Sequence, residues 1–342
     1  DMSDIKYLVR KNILSLVPYS SARDEFNGED AIFLDANENP YGNLNRYPDP
    51  LQKALKKEIA VLKGVPEKNI FLGNGSDEAI DLLYRIFCVP GKDQALTFAP
   101  TYGMYSVSSA INDVGMITVP LDDNFDIPED FDFEVTGNIS LKIILLCSPN
   151  NPTGNTLSEE RIIPILEKFK GIVVIDEAYT DFSCRQSFLS LLYKYPNLVV
   201  LQTFSKAWGL AAARVGMAFA GEDIISLMNK IKYPYNISAI NQQAALNALK
   251  ESDSVYQIIT SLKVMREDMV ARLKELKCVR KVYPSDANFL LVKVSDANSI
   301  YNKLVKQKII VRNRNSVVRD CLRITIGTAR ENDMVIEALQ KL

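Results

Sequence analysis

Between Ile32 and about Ala220, short apolar runs alternate with stretches of helical spacing, and this alternation constrains the fold more than any other feature of the chain. The runs are Ile70-Phe71-Leu72, Ala95-Leu96-Thr97-Phe98, Lys142 to Cys147, Ile172 to Ile175 and Leu198 to Leu201. None shows the clean every-second-residue pattern of a strand with one wet face. Each therefore reads as a strand buried on both faces of a mainly parallel sheet. An open sheet of this kind puts its ligand-facing residues at the C-terminal ends of its strands.

The flanks differ from this middle. Ile5, Leu8, Val9, Ile13 and Leu16 give Asp4 to Leu16 a helical spacing that Pro18 stops, so residues 1–30 are expected to form an N-terminal arm. Ser254 with Gln257 forms a capping-box signature ahead of a long helix whose apolar face is Leu262, Met265, Met269, Leu273 and Leu276. Beyond it, 288–294, 309–311 and 322–326 read as strands and 297–307 and 331–342 as helices, a compact α+β unit. A change of pattern near residue 240 divides a large domain, 31–240, from a small one, 241–342. The length of 342 residues is that of about two domains.

Composition excludes several kinds of chemistry. The chain has no histidine, which removes a Ser-His-Asp triad, a His-ligated metal and a His base, and leaves proton transfer to Lys, Asp, Glu or Tyr. Its five cysteines (Cys88, Cys147, Cys184, Cys278, Cys321) are scattered and never in C-x-x-C spacing, so neither a disulfide framework nor a zinc site is expected. Forty basic and 42 acidic residues give a formal charge of −2, which draws the chain toward neither nucleic acid nor anionic lipid. No membrane span and no signal-peptide pattern is visible, so a cytoplasmic protein is expected.

Several strand ends carry residues suited to chemistry. Gly73-Asn74-Gly75-Ser76-Asp77-Glu78 follows a strand and opens a helical pattern, an arrangement that presents free N–H groups to an anion. A tight turn with a polar N-cap fits the same residues, and the spacing is not G-x-G-x-x-G. Asp176 closes an apolar strand, where a carboxylate can hold a pyridine nitrogen protonated. It can also be a helix N-cap, or a magnesium ligand, although the G-x-x-x-x-G-K-[ST] loop expected with that role is missing. In Ser148-Pro149-Asn150-Asn151-Pro152-Thr153-Gly154, Asn151 can donate to a phenolate oxygen on a bound ring, or the segment is a turn alone. Tyr102, beside Pro100, can stack on a flat heterocycle or fill a core.

Lys206, in Thr203-Phe204-Ser205-Lys206-Ala207-Trp208-Gly209-Leu210, is followed by Arg214. A lysine is a poor nucleophile until desolvation or a nearby cation lowers its pKa. With Arg214 as that cation, a strand-end lysine can form an imine with pyridoxal phosphate; the plainer reading is a solvated lysine. Arg323 lies on the strand face opposite Leu322, Ile324 and Ile326, where either a substrate anion or a surface acid can meet it.

In order and spacing these pieces resemble the fold-type I pyridoxal-phosphate aminotransferases, and more narrowly the histidinol-phosphate aminotransferase family. The resemblance runs over nearly the whole chain, through Val17 to Arg23, Leu34 to Gly42 with its N-E-N-P-x-G block, Arg46-Tyr47-Pro48-Asp49-Pro50, and Cys321 to Thr325. It implies an α/β fold with a mainly parallel, seven-stranded type of central sheet, helices on both faces, and a smaller α+β C-terminal domain. It implies pyridoxal 5'-phosphate as cofactor, with Lys206 as the Schiff-base lysine, Asp176 on the pyridinium nitrogen, Tyr179 and Asn151 on the ring oxygen and Tyr102 on the ring face. Phosphate contacts would come from Gly75, Ser76, Asp77, Ser205 and Arg214, and from Tyr47 of a second subunit. The substrate side would comprise Arg323, Arg312, Tyr19, Asn37 and Asn151, and the arm would join the small domain and the dimer partner.

The reaction implied is transamination between L-histidinol phosphate and 2-oxoglutarate, giving imidazole-acetol phosphate and L-glutamate, in a cytoplasmic homodimer. A threonine-phosphate decarboxylase, an aromatic-amino-acid aminotransferase and a binding protein that has lost catalysis remain alternatives on the same fold.

Overall fold

The computed structural model describes residues 5–26 and 31–342. Seven strands form the large sheet: β1 (Ile70–Asn74), β2 (Gln94–Ala99), β3 (Gly115–Pro120), β4 (Leu141–Cys147), β5 (Ile172–Asp176), β6 (Leu198–Thr203) and β7 (Val215–Phe219). Their order across the sheet is β1-β7-β6-β5-β4-β2-β3. Every pairing is parallel except those of β7, which runs against both β1 and β6.

Both faces of the sheet are covered, and successive residues of a strand enter different cores. Val173 and Ile175 join the core that contains Leu55 and Ile59 of helix Lys53–Lys63 and Ile162 of helix Glu159–Lys168. Ile172 and Val174 join the core of helix Gly75–Phe87 and Tyr105. A strand whose neighbours on both sides are apolar has no wet face, which is why the sequence shows continuous runs. Two strands, β3 and β7, were not apparent from such runs. In β3 the residues are only partly buried or exposed, as suits an edge, and β7 is five residues long with a glycine second.

The small sheet is antiparallel, in the order β10-β11-β9-β8, from β8 (Val279–Val282), β9 (Phe289–Val294), β10 (Arg312–Asn313) and β11 (Cys321–Thr325). Helices Ala297–Lys306 and Ala329–Gln340 pack against it. The expected strand at 309–311 is displaced to β10. Ile309 N–H donates to Leu304 O (2.9 Å) beside a left-handed Lys308, so this residue finishes the helix cap before a strand can begin.

The long helix spans Ser252–Lys274, so Ser254 and Gln257 lie inside it rather than ahead of it. Helix Ala239–Lys250 runs almost directly into it and leaves no extended residue for a cap at Ser254. A capping box does occur at Thr328 with Glu331. Along the long helix, Ile259 belongs to the large core, whereas Met269 and Leu273 belong to the small one.

The expected N-terminal helix is two short pieces, Ile5–Leu8 and Lys11–Ser15; its predicted first residue, Asp4, lies outside the described residues. Arg10 breaks it by pairing with another helix end. Its N–H donates to Ile86 O (2.9 Å) and its guanidinium to Arg85 O (3.0 Å), satisfying carbonyls that helix Gly75–Phe87 leaves open. Ile5, Leu8, Val9 and Ile13 are buried in the same core as that helix.

Candidate active site

Parallel strands end at a common edge, and β7 starts there because it runs the other way. The segments that follow β1, β2, β4, β5 and β6, together with Arg214 just before β7, therefore converge. They surround a cavity of about 560 Å³, which is also lined by Arg312 and Arg323 of the small sheet and by Arg314 just past β10.

Asp176 is a buried carboxylate on the cavity wall. It continues the alternation of Ile172 and Val174 toward the helix that carries Tyr105, and its Oδ2 accepts from the Tyr105 hydroxyl (2.6 Å). Its Oδ1 accepts from Ala178 N–H (3.1 Å). Burial pushes its pKa up to about 6 against the pull of those two donors, with Asp77 adding to the rise and Lys206 opposing it.

Lys206 sits in the turn after β6, held where Leu210 N–H returns to Phe204 O (3.0 Å) and Gly209 N–H to Lys206 O (3.1 Å). Its Nζ lies 5.8 Å from the centre of the Tyr179 ring. Burial lowers its pKa most, then Arg323, then Arg214, while Asp77 and Asp176 resist. The cation expected from Arg214 is present, and Arg323 outweighs it.

Helix Gly75–Phe87 begins at the cavity wall, where Gly75 and Ser76 turn their backbone toward Arg214. Gly75 has φ +69°, and a Cβ there would lie 2.6 Å from an Arg214 guanidinium nitrogen. Gly75 N–H donates to Arg214 O (3.0 Å), and Arg214 itself is left-handed (φ 53°), a strained geometry for a side-chain-bearing residue. Its guanidinium also donates to Ser205 Oγ (3.4 Å) and Ala211 O (3.1 Å). A Cβ at Gly216 would fall against the backbone of Gly75 and Ser76. Two glycines thus keep side chains out of a cradle of N–H groups and one guanidinium.

The two acids at this helix start do not both face that cradle. Glu78 turns back to accept from Asn74 N–H and from Asn236 Nδ2, and it is absent from the cavity wall. Asp77 lines the cavity and accepts from the Tyr102 hydroxyl (3.2 Å). The Tyr102 ring meets Tyr105 edge-on at 5.5 Å.

Asn151 Nδ2 donates to the Tyr179 hydroxyl (3.5 Å), and its carbonyl oxygen accepts from Arg323. Burial raises the pKa of Tyr179 well above the ordinary phenol value. Arg323 lies 5.4 Å over the Phe289 ring and is itself largely desolvated. Arg312 faces it directly across the β10–β11 ladder.

The structure therefore brings together Gly75, Ser76, Asp77, Tyr102, Asn151, Asp176, Tyr179, Ser205, Lys206, Arg214, Arg312 and Arg323. Tyr19, Asn37 and Tyr47 stand outside the cavity of their own chain. Tyr19 is exposed, Tyr47 stacks on Tyr235 at 4.3 Å, and Asn37 and Tyr47 border a separate surface hollow with Ser238 and Ile240. Sequence reading missed Tyr105 and Arg314. Tyr105 had only a weak signal, an aromatic three residues after Tyr102 at the start of helix Met104–Ile111; Arg314 had only its alternation with Arg312. Among the described residues no cluster of three His, Cys, Asp or Glu could hold a metal ion, and no helix is long and apolar enough to cross a membrane.

A mainly parallel sheet with a lysine and a buried carboxylate at its C-terminal edge defines the class, and the family model "Aminotransferase class I and II" matches residues 29–339. A histidinol-phosphate aminotransferase of Parabacteroides distasonis is 53% identical over all of this chain and 99% of its own length. One of Bacteroides fragilis is 52% identical over 99% of each. The crystal structure of histidinol-phosphate aminotransferase from Sinorhizobium meliloti in complex with pyridoxal-5'-phosphate superposes with a TM-score of 0.77 at 25% identity, covering 86% of this chain and 82% of that one. The chain belongs to the histidinol-phosphate aminotransferase family of the class I and II aminotransferases.

Proposed function

We propose that this chain is a pyridoxal 5'-phosphate-dependent transaminase that passes the amino group of L-histidinol phosphate to 2-oxoglutarate, giving imidazole-acetol phosphate and L-glutamate in histidine biosynthesis. The observation that carries this reading is a desolvated lysine and a buried carboxylate in one cavity, with cations supplied separately by the large sheet and by the small one.

The donor set suits the cofactor. The cradle kept open by Gly75 and Gly216 has the N–H groups and the Arg214 guanidinium that a phosphate monoester requires. Asp176 is mainly ionised at neutral pH even when buried, and it can hold a proton on a pyridine nitrogen. Asn151 and Tyr179 offer donors to a ring oxygen, and Tyr102 offers a flat face. When bound, pyridoxal phosphate supplies an electron sink for the pair released at the substrate's amine-bearing carbon.

The residues of the chain do the rest. The lowered pKa of Lys206 raises the fraction of neutral amine, which makes Nζ both a nucleophile and a base able to take the proton from that carbon. Arg323 binds the carboxylate of glutamate or the phosphate of histidinol phosphate, since a planar fork fits either anion, and Arg312 assists with the phosphate. Tyr47 serves the cavity of a partner subunit in this reading, which makes the working enzyme a homodimer with shared sites, and Tyr19 and Asn37 are assigned to the substrate side. The division into arm, large domain and small domain at residues 30 and 240 goes with it.

The test is a comparison of donors. With 2-oxoglutarate as acceptor, histidinol phosphate should give a higher kcat/KM than phenylalanine, and threonine phosphate should release no carbon dioxide. A preference for phenylalanine, or carbon dioxide release without an oxoacid, would replace this reading with one of the alternatives.

A further inference from the structure

The small-sheet side of the cavity holds one more cation than the family resemblance assigns. Arg312 pairs with Arg323 in the β10–β11 ladder, and Arg314, the residue just past β10, stays beside β11 by donating its N–H to Cys321 O (3.0 Å). All three arginines line the cavity. The ion pairs of this half use Arg266, Arg272 and Arg319, and none of the three cavity arginines has a carboxylate partner among the described residues. Nε of Arg314 is buried and has no hydrogen-bond partner among them.

The acids on the cavity wall, Asp77 and Asp176, are already engaged by the hydroxyls of Tyr102 and Tyr105. Burial lowers the pKa of Arg314, and so do Arg323 and Arg312, so the three like charges burden one another. The turn that holds Arg314 is well fixed. Its carbonyl accepts from Val317 N–H (2.9 Å) and Val318 N–H (2.8 Å), and Asn313 is tied to Asn315 N–H (3.0 Å) and to Asn298 (2.9 Å). A mobile surface arginine would move away from such neighbours; this one is held among them.

We infer that Arg314 is a specificity residue for the donor's phosphate, forming with Arg312 a second cationic grip that the carboxylate of glutamate does not need. A phosphate monoester carries roughly −1.5 to −2 charge at neutral pH and three free oxygens, whereas a carboxylate carries one charge and two oxygens. Arg323, bonded to Asn151, already matches the smaller anion. The inference deepens the proposed transamination and rests on it.

The test uses the holoenzyme in its two half-reactions, each followed by the cofactor's absorbance. In Arg314→Gln the kcat/KM for histidinol phosphate, divided by that for glutamate, should fall roughly tenfold to a hundredfold, the worth of one charge-assisted contact. Arg314→Lys should restore a large part of the ratio. Inorganic phosphate, as a competitor in the glutamate half-reaction, should inhibit the Gln variant less than the wild type. An unchanged ratio overturns the inference, whether both half-reactions fall together or neither moves. If the wild type ignores histidinol phosphate, the functional reading fails instead, and the phosphate competition still decides whether Arg314 binds a dianion.

Discussion

Gly216→Ala tests the anion cradle through backbone geometry alone. Gly216 sits in β7, opposite Gly73 of β1 on one side and Thr203 of β6 on the other. A Cβ on it would lie 2.8 Å from Gly75 O and closer still to Gly75 C and Ser76 N, where ordinary contact begins at 3.4 Å. The obstacles are backbone atoms, so no side chain can rotate out of the way. β7 cannot retreat without loosening two ladders, and the Gly75–Ser76 turn must yield by more than half an ångström. Overpacking of this kind costs about 1–3 kcal/mol of stability. Its larger effect should be on the cofactor, because losing one charge-assisted contact to phosphate costs about 1.5–3 kcal/mol, or roughly tenfold to a hundredfold in affinity. Equilibrium titration of the apo-protein with pyridoxal phosphate, alongside thermal unfolding, measures both. An affinity within about twofold of wild type would refute the placement of the phosphate at this turn, since an error of half an ångström there should be felt.

Other expectations follow from the same geometry. Lys206→Ala should remove the lysine-linked visible absorbance and turnover together, and a variant that kept both would remove Lys206 from the chemistry. Arg323→Ala should retain that absorbance yet lose roughly a hundredfold or more in kcat/KM for both substrates, as expected when a desolvated guanidinium that meets both anions is removed. Asp176→Asn should make the apo-protein more stable at pH 8 but not at pH 4. The folded carboxyl titrates near pH 6 against an ordinary 3.8, so ionising it costs the fold about 3 kcal/mol, a penalty absent below pH 3.8, growing between 3.8 and 6 and complete above 6. Urea unfolding of both proteins across that range checks it, and a difference independent of pH would contradict the burial argument.

The large sheet and the residues that border the cavity at its edge were legible because each is written locally. Strands buried on both faces leave continuous apolar runs, and their ends can be read to within a residue or two of where the run stops, as at Cys147, Ile175 and Leu201. β3 and β7 escaped because an exposed edge and a strand interrupted by Gly216 leave no such run. Arg10 ended the first helix through a contact with residues 85 and 86, which no local pattern encodes. Tyr105 and Arg314 gain their roles only when a helix face meets β5 and when β10 finds its register against β11. Tyr19, Asn37 and Tyr47 were singled out by motif, but within one chain no packing brings them to the cavity.

In the proposed reaction Lys206 and Asp176 carry an amino-group transfer from a phosphate-bearing donor. Its most direct test is a single turnover: holoenzyme mixed with L-histidinol phosphate and no oxoacid. Conversion of the cofactor to its pyridoxamine form is expected, one equivalent per site, with 2-oxoglutarate then restoring the starting spectrum and releasing glutamate. A cofactor spectrum left unchanged by histidinol phosphate would contradict it.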